Sequence, residues 1–290
     1  VPQYRKRVYI VGCKKKFGTI NLTFKNTKEV PVESCIEYGL PSISNDFSKK
    51  LLQHFSLAEL NGKALKDKRG GNSNIHSWEF DYKGVTSEDE KTLLNVLLLA
   101  RRKRKWAEEI GITWMDGMPL TTAQIRTFFD HPNLQQMLDN LTKKKYLVYE
   151  HPKKQVVRID NSGNRYTERI PDKTKEKGYN IVTGKLSFEI SSFLDKSKPA
   201  KTIVAMDMGN IGIVEKDGIR HISLREGLRL FGFPEDYSLD IFEKNKKDVK
   251  LGYDLIGNSV CVPVIKAVAL RLLDKIRPQK LEDVIGQKHL

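Results

Sequence analysis

At Ser87–Glu90, Thr121–Gln124 and Ser223–Glu226 this chain places a Ser or Thr three residues ahead of a Glu or Gln at the head of an apolar stretch. Each is a capping box, in which the two side chains satisfy each other's backbone N–H groups, so each marks a helix start. The first predicts a helix from Ser87 to about Ile110, stopped by Gly111. Its second half holds the run RRKRK, in which Arg101, Arg104 and Lys105 stand at i, i+3 and i+4 and share a face. That face suits either DNA phosphates or a solvated helix end favoured by the dipole. The second box opens a short helix with Ile125, Phe128 and Phe129 as its stripe. Pro132 then starts another, with Leu134, Met137, Leu138 and Leu141 on one side. The segment YLVYEHPKKQVVRI reads as a hairpin with Lys153 and Lys154 at its tip. Helix, turn, helix, basic hairpin is the order of a winged helix-turn-helix, a shape used for DNA contact and also as a protein scaffold. The third box opens a helix ended by Gly232, ahead of Phe233–Pro234. Pro263 opens the last helix, whose Ile265, Val268, Leu272 and Ile276 face a core.

Elsewhere the pattern is weaker. The opening VPQYRKRVYIVGC reads as a basic loop feeding a strand, Val8, Ile10 and Gly12 alternating with Tyr9 and Val11, apolar enough for burial in an α/β sheet. From Lys14 to Gly84 little is periodic, and residues 161–200 are polar and Lys-rich with one candidate strand pair between Tyr179 and Ile190. Charge says more. Lys and Arg number 51 against 36 acids, a formal net charge of +15, and the excess gathers in runs, which points to a polyanion. The longest apolar run, Leu93 to Ala100, is far short of the ~20 residues of a membrane span, and no secretory signal is expected. Cys13, Cys35 and Cys261 have no CxxC spacing and the six His no ligand spacing, so neither disulfides nor a metal site are expected, and a reducing cytoplasm fits.

Three segments, in order, carry a resemblance: VPQYRKRVYIVG at Val1–Gly12, HISLREGLRLFGFPEDY at His221–Tyr237 and GYDLIGNSVCVPVIKAVALRLL at Gly252–Leu273. They resemble the Gln-x-Arg-x-Arg, Arg-Glu…Phe-Pro and Gly-Asn-Ser-Val blocks that close the cytosine-5 DNA methyltransferases. That family flips its target cytosine out of the duplex before methylating it from S-adenosylmethionine. The resemblance implies that Arg7 contacts the flipped base, that Arg5 organises the loop bearing the nucleophile, and that Gln3 supports them. It implies that Arg225 and Glu226 act structurally and that Asn258 and Ser259 line the S-adenosylmethionine pocket as the last helix begins. It also implies that Thr202, in Thr202–Val204, touches the DNA backbone. The basic residues Arg101, Arg102, Arg104, Lys105, Lys153 and Lys154 are the candidate DNA contacts of the intervening region.

The expected fold is α/β. The C-terminal fragment of a Rossmann-like methyltransferase domain (1–13 and 206–276) brackets a large α+β target-recognition domain (14–205) with its winged-helix-like segment; 277–290 is a tail of unassigned role. The family's Pro-Cys nucleophile is not here, since no Cys follows a Pro, and neither its Glu-Asn-Val block nor its glycine-rich cofactor loop is found. In the family these precede the first block. The expectation is therefore a C-terminal portion or subunit, inactive alone, whose partners are duplex DNA and a segment carrying the N-terminal motifs, in the setting of restriction-modification. The alternative is a non-catalytic winged-helix DNA-binding protein or a decayed relic. Two lesser resemblances lack their companions: Asp-x-Gly in TIVAMDMGNIGIVE to the phosphate turn of actin-like ATPases, and RPQKLEDVIGQKHL to the opening of clamp-loader-like ATPases.

Overall fold

A computed structural model describes residues 1–5, 7–12, 19–22, 28–67, 74–183 and 188–276; Lys6, Cys13, the Lys14–Lys16 run, most of the Gly/Asn stretch at 69–74 and the tail 277–290 lie outside it. The elements in chain order are α1 (Asp46–His54), α2 (Leu57–Leu60), β1 (Ala64–Leu65), β2 (Asn74–Ile75), α3 (Glu88–Ala100), α4 (Lys105–Glu109), α5 (Thr122–Arg126), α6 (Leu134–Lys143) and β3 (Leu147–Glu150). There follow β4 (Lys153–Ile159), β5 (Arg165–Pro171), β6 (Gly178–Ile181), β7 (Ser192–Phe193), α7 (Ala205–Met208), β8 (Ile211–Glu215), β9 (Gly218–His221), α8 (Leu224–Leu230), α9 (Lys246–Asn258) and α10 (Val262–Ile276).

The chain packs as two compact units, called outer and inner for their place in the sequence alone: the outer of Val1–Ile43, Leu60–Gly62 and the described residues from Ser192 on, the inner of Ser44–Glu59 and Lys63–Ser191. The limits differ from those drawn around the motif blocks, because residues 28–43 and 192–205 pack with the flanks. The structure is mixed α/β, and β8 pairs parallel to β7 and antiparallel to β9.

In the inner unit all the expected caps form. Ser87 Oγ accepts from Glu90 N (3.2 Å) while Glu90 accepts from Ser87 N (3.1 Å). Thr121 and Gln124 do the same (3.2 and 3.0 Å). Leu134, Leu138 and Leu141 of α6 join Ile125, Leu93, Leu94, Leu97 and Trp78 in the core. The helix from Ser87 does not reach Ile110, however. It ends at Ala100, whose carbonyl accepts the Trp106 indole N–H (2.8 Å), and Met118 N donates to Arg101 O (2.8 Å). Arg101, Arg104 and Lys105 therefore share no helical face. The hairpin is also different: β3 pairs with β6, and β4 pairs antiparallel with β5 from Lys153↔Pro171 to Ile159↔Arg165. Lys153 and Lys154 stand at the base of that ribbon, and the tip is Asp160–Asn164. Phe188–Ile190 form no strand opposite Tyr179, whose strand β6 takes β3 instead.

In the outer unit Ser223 Oγ accepts from Glu226 N (3.0 Å) to open α8, and Gly232, at φ +73°, closes it with its N–H on Arg229 O. No strand pairs with residues 7–12 among the described residues, and Val8 and Ile10 are 87% and 94% exposed rather than buried. On α10, Val268 is buried but Ile265 is exposed, and the side chain of Ile276 lies outside the described set. The Asp-x-Gly of TIVAMDMG forms no strand-borne turn: Ala205–Met208 is a single helical turn, α7. One stretch, Lys247–Asp274, passes the length and apolarity of a membrane span by composition alone, although no uninterrupted apolar run in it approaches that length. The chain breaks helix within it, between α9 and α10.

Candidate functional site

The first and last blocks meet in the outer unit. Residues 2–4 lie along Ala200, with Tyr4 N on Ala200 O (2.7 Å) and Ala200 N on Pro2 O (2.8 Å). Arg5 then reaches two distant segments. Its Nη1 donates to Ile203 O (2.7 Å) and its Nη2 to Ser259 O (3.2 Å), with the guanidinium 5.0 Å from the centre of the Phe231 ring. Burial, then Arg7, lowers its pKa from the usual arginine value. Gln3 is buried, its Oε1 accepting from the Cys261 thiol at 3.9 Å and its Nε2 without a hydrogen-bond partner among the described residues. Thr202 is exposed and its Oγ1 donates to Tyr4 O (2.7 Å), so its hydroxyl proton is already engaged within the chain. Arg7 and Asn258 are exposed.

Asn258 and Ser259 do not open the last helix as expected. They close α9, where Ser259 Oγ donates to Ile256 O (2.6 Å) and its carbonyl is taken by Arg5. Asn258 is exposed with no side-chain hydrogen bond among the described residues, so its amide could reach a ligand such as S-adenosylmethionine, whereas Ser259 is committed to the protein. Burial pushes the Cys35 and Cys261 thiols up, so neither is poised as a thiolate.

Arg225 and Glu226 do not pair with each other. Arg225 Nη1 donates to the carbonyls of Glu235 (3.0 Å) and Tyr237 (2.7 Å) and so holds the Phe-Pro turn. Glu226 is fully buried and pairs bidentately with Arg220 (2.8 and 2.7 Å), while accepting from Ser223 N and Glu37 N (both 2.8 Å). Burial alone would lower the Arg220 pKa, but Glu226 and Glu215 hold it above the usual value. Sequence reasoning missed Arg220. Its only local signal is a charge inside the apolar strand GIRH.

The basic set of the inner unit divides. Arg101 is 3% exposed and donates to Asn180 Oδ1 (2.6 Å); burial lowers its pKa to about 10. It is a packing residue, too deeply buried to serve as the surface DNA contact expected from the sequence. Arg102 pairs with Asp116 (2.6 Å) and its carbonyl takes the Trp114 indole N–H (3.1 Å). Arg104 lies over Trp114 (5.6 Å) and Lys105 over Trp106 (4.0 Å), both exposed. Lys154 pairs with Asp172 (3.3 Å).

With this geometry stands the family evidence. The C-5 cytosine-specific DNA methylase family matches residues 1–274. The chain belongs to that family. It is 53% identical over 273 residues to the Type II methyltransferase M.NlaIV of Neisseria lactamica and 50% over 273 residues to M.NgoBV of Neisseria gonorrhoeae. It is 35% identical over 296 residues to M.HgiCI of Herpetosiphon aurantiacus. Each alignment takes in 94% of this chain but only 60–62% of the relative, so the chain spans about three fifths of their length.

Proposed function

We propose that the chain is the site-recognising, C-terminal portion of a cytoplasmic Type II DNA (cytosine-5) methyltransferase. The observation that carries this reading is the Arg5 clamp, which joins the Gln-x-Arg-x-Arg block to Ile203 and to the Gly-Asn-Ser-Val block at Ser259. Residues 1–13 and 206–276 would complete a Rossmann-like catalytic domain, and residues 14–205 would supply target recognition. S-adenosylmethionine supplies the methyl group in this chemistry, and Asn258 is the side chain left to help hold it. Arg7, exposed beside the clamp, reaches the flipped base, while Arg5 holds the backbone around it. Arg102, Arg104, Lys105 and Lys153 contact phosphates and set register on the duplex.

Complementation tests this directly. The chain is co-expressed with the portion of the Neisseria lactamica relative that it does not span, and cellular DNA is challenged with methylation-sensitive nucleases. Protection is expected from the pair, and no labelled methyl transfer from the chain alone. Failure of the pair, where the relative's own two portions succeed, would favour the alternative of a DNA-binding relic; methyl transfer by the chain alone would refute its dependence on a partner segment.

A further inference from the structure

The ribbon β4–β5 has no visible reason to be apolar where it is. A two-stranded hairpin is marginal in water, and Val157 and Ile159 stand 66% and 64% exposed on it. Residues directly opposite in an antiparallel pair share a face, and the register sorts this ribbon into two unlike ones. One face carries Lys154, Val156, Arg158, Tyr166, Glu168 and Ile170. Its charges are spent internally: Arg158 pairs with Glu168, and Lys154 with Asp172 at 3.3 Å. The other face sets Gln155 opposite Arg169, Val157 opposite Thr167 and Ile159 opposite Arg165, with Lys153 at its base. It has no acid, and its Arg165 and Arg169 have no ion-pair partner among the described residues.

We propose that this second face enters the major groove of duplex DNA and reads base edges through Gln155, Val157, Ile159, Arg165, Thr167 and Arg169. The proposal rests on reading the chain as a DNA-recognition region. Three observations argue for it. A major groove about 12 Å wide admits a two-stranded ribbon, and seven paired residues extend roughly 23 Å along it. Charge complementarity selects the occupant, since a face with only positive charges and neutral donors fits a polyanion. The donor set also matches base chemistry: arginine to guanine O6 and N7, glutamine to adenine, and threonine or aliphatic methyls to the thymine methyl. The tip is preorganised for insertion. Asp160 accepts from Ser162 N (2.8 Å) and Asn164 N (2.9 Å), which hold its carboxyl below the usual range, and Gly163 takes φ +81°.

The test is selection from a random duplex pool by the full chain, followed by affinity measurements on the selected and a scrambled duplex. Gln155→Ala and Arg169→Ala are compared with Arg158→Ala on the opposite face. All three side chains lie at the surface, and thermal unfolding checks that the fold survives. Gln155→Ala and Arg169→Ala should each relax one position of the selected sequence and lose roughly 5- to 150-fold on it, with the Gln155 variant keeping the wild-type salt dependence. Arg158→Ala should select the wild-type sequence. Replacing guanine by 7-deazaguanine in the selected site should weaken the wild type but not weaken Arg169→Ala further.

If wild type selects a sequence and both variants select the same one, the ribbon assignment falls while the recognition reading stands. Equal losses on selected and scrambled DNA would make this face a phosphate contact and overturn base reading. If wild type enriches no sequence, the recognition reading itself fails and takes the ribbon with it. Self-association through Val157 and Ile159, abolished by Val157→Lys with DNA selection unchanged, would identify the face as a protein interface and overturn the proposal.

Discussion

At the scale of single residues, the outer unit turns on two arginines doing work the sequence assigns elsewhere. Glu226 was legible as a helix cap, because the Ser-x-x-Glu spacing is local. Its partner was not, because the β8–β9 hairpin delivers Arg220, and no spacing rule announces a partner on a preceding strand. Removing one member of a buried ion pair strands the other, at a cost of about 3–5 kcal/mol. Glu226→Gln should therefore lower the urea midpoint sharply, whereas the double replacement Arg220→Met/Glu226→Leu should cost less than the single one. An unchanged midpoint for Glu226→Gln would remove the pair's structural role. Arg5 and Arg7 separate in the same way. Arg5→Ala loses two charge-assisted hydrogen bonds to carbonyls (2.7 and 3.2 Å) and should destabilise the unit by about 2–4 kcal/mol. Arg7→Ala, on an exposed side chain, should leave the unfolding midpoint in place. In the complemented enzyme it should cut turnover by roughly a hundredfold or more, the cost of losing a preorganised donor, with duplex affinity little changed. Near-normal turnover in that variant would show that Arg7 does not contact the reacting base.

At the scale of elements, local signals served well and long-range ones were invisible. Helix starts at Ser87, Thr121 and Ser223 follow from side chains three residues apart. Helix α3 ends early because the Trp106 indole and Met118 N occupy the carbonyls of Ala100 and Arg101, a competition settled by tertiary packing. The hairpin was misassigned because β3 looks inward to β6, while Pro152, which has no N–H, separates it from β4. The Asp-Asn-Ser-Gly-Asn sequence at 160–164 is a turn signal, and Asp160 closes it by accepting from Asn164 N and Ser162 N. Gly257, in the Gly-Asn-Ser-Val block, has a physical reason to be glycine. A Cβ there would lie 2.3 Å from Ala205 Cα and 2.6 Å from Ala205 N, backbone atoms of α7 that cannot step aside. Gly257→Ala should force α9 away from α7 and cost about 1–3 kcal/mol or more, despite its gain in helix propensity. A variant as stable as wild type would mean that the two helices can separate freely.

At the scale of the whole molecule, 51 basic against 36 acidic residues point to a polyanion, yet which cations could act on one is not readable from the sequence. The RRKRK run looks uniform in sequence and is not: Arg101 is buried on Asn180, while Arg102, Arg104 and Lys105 lie around the indoles of Trp114 and Trp106. Phosphate contacts release counterions, so each contributes about −0.9 to the slope of log affinity against log salt. If about five cations meet phosphates, that slope is roughly −4 to −5. Replacing Arg102, Arg104 and Lys105 together by Ala should flatten it by up to about 3 and weaken selected and scrambled duplexes alike. Arg101→Ala should behave oppositely, lowering the unfolding midpoint by removing a buried donor while leaving the salt slope of the folded fraction untouched. Titrating both variants against the same duplex across a salt series separates the two. A triple variant with the wild-type slope would show the run to be a solvated surface, and a triple variant that fails only on the selected duplex would move these side chains from the phosphates to the base edges.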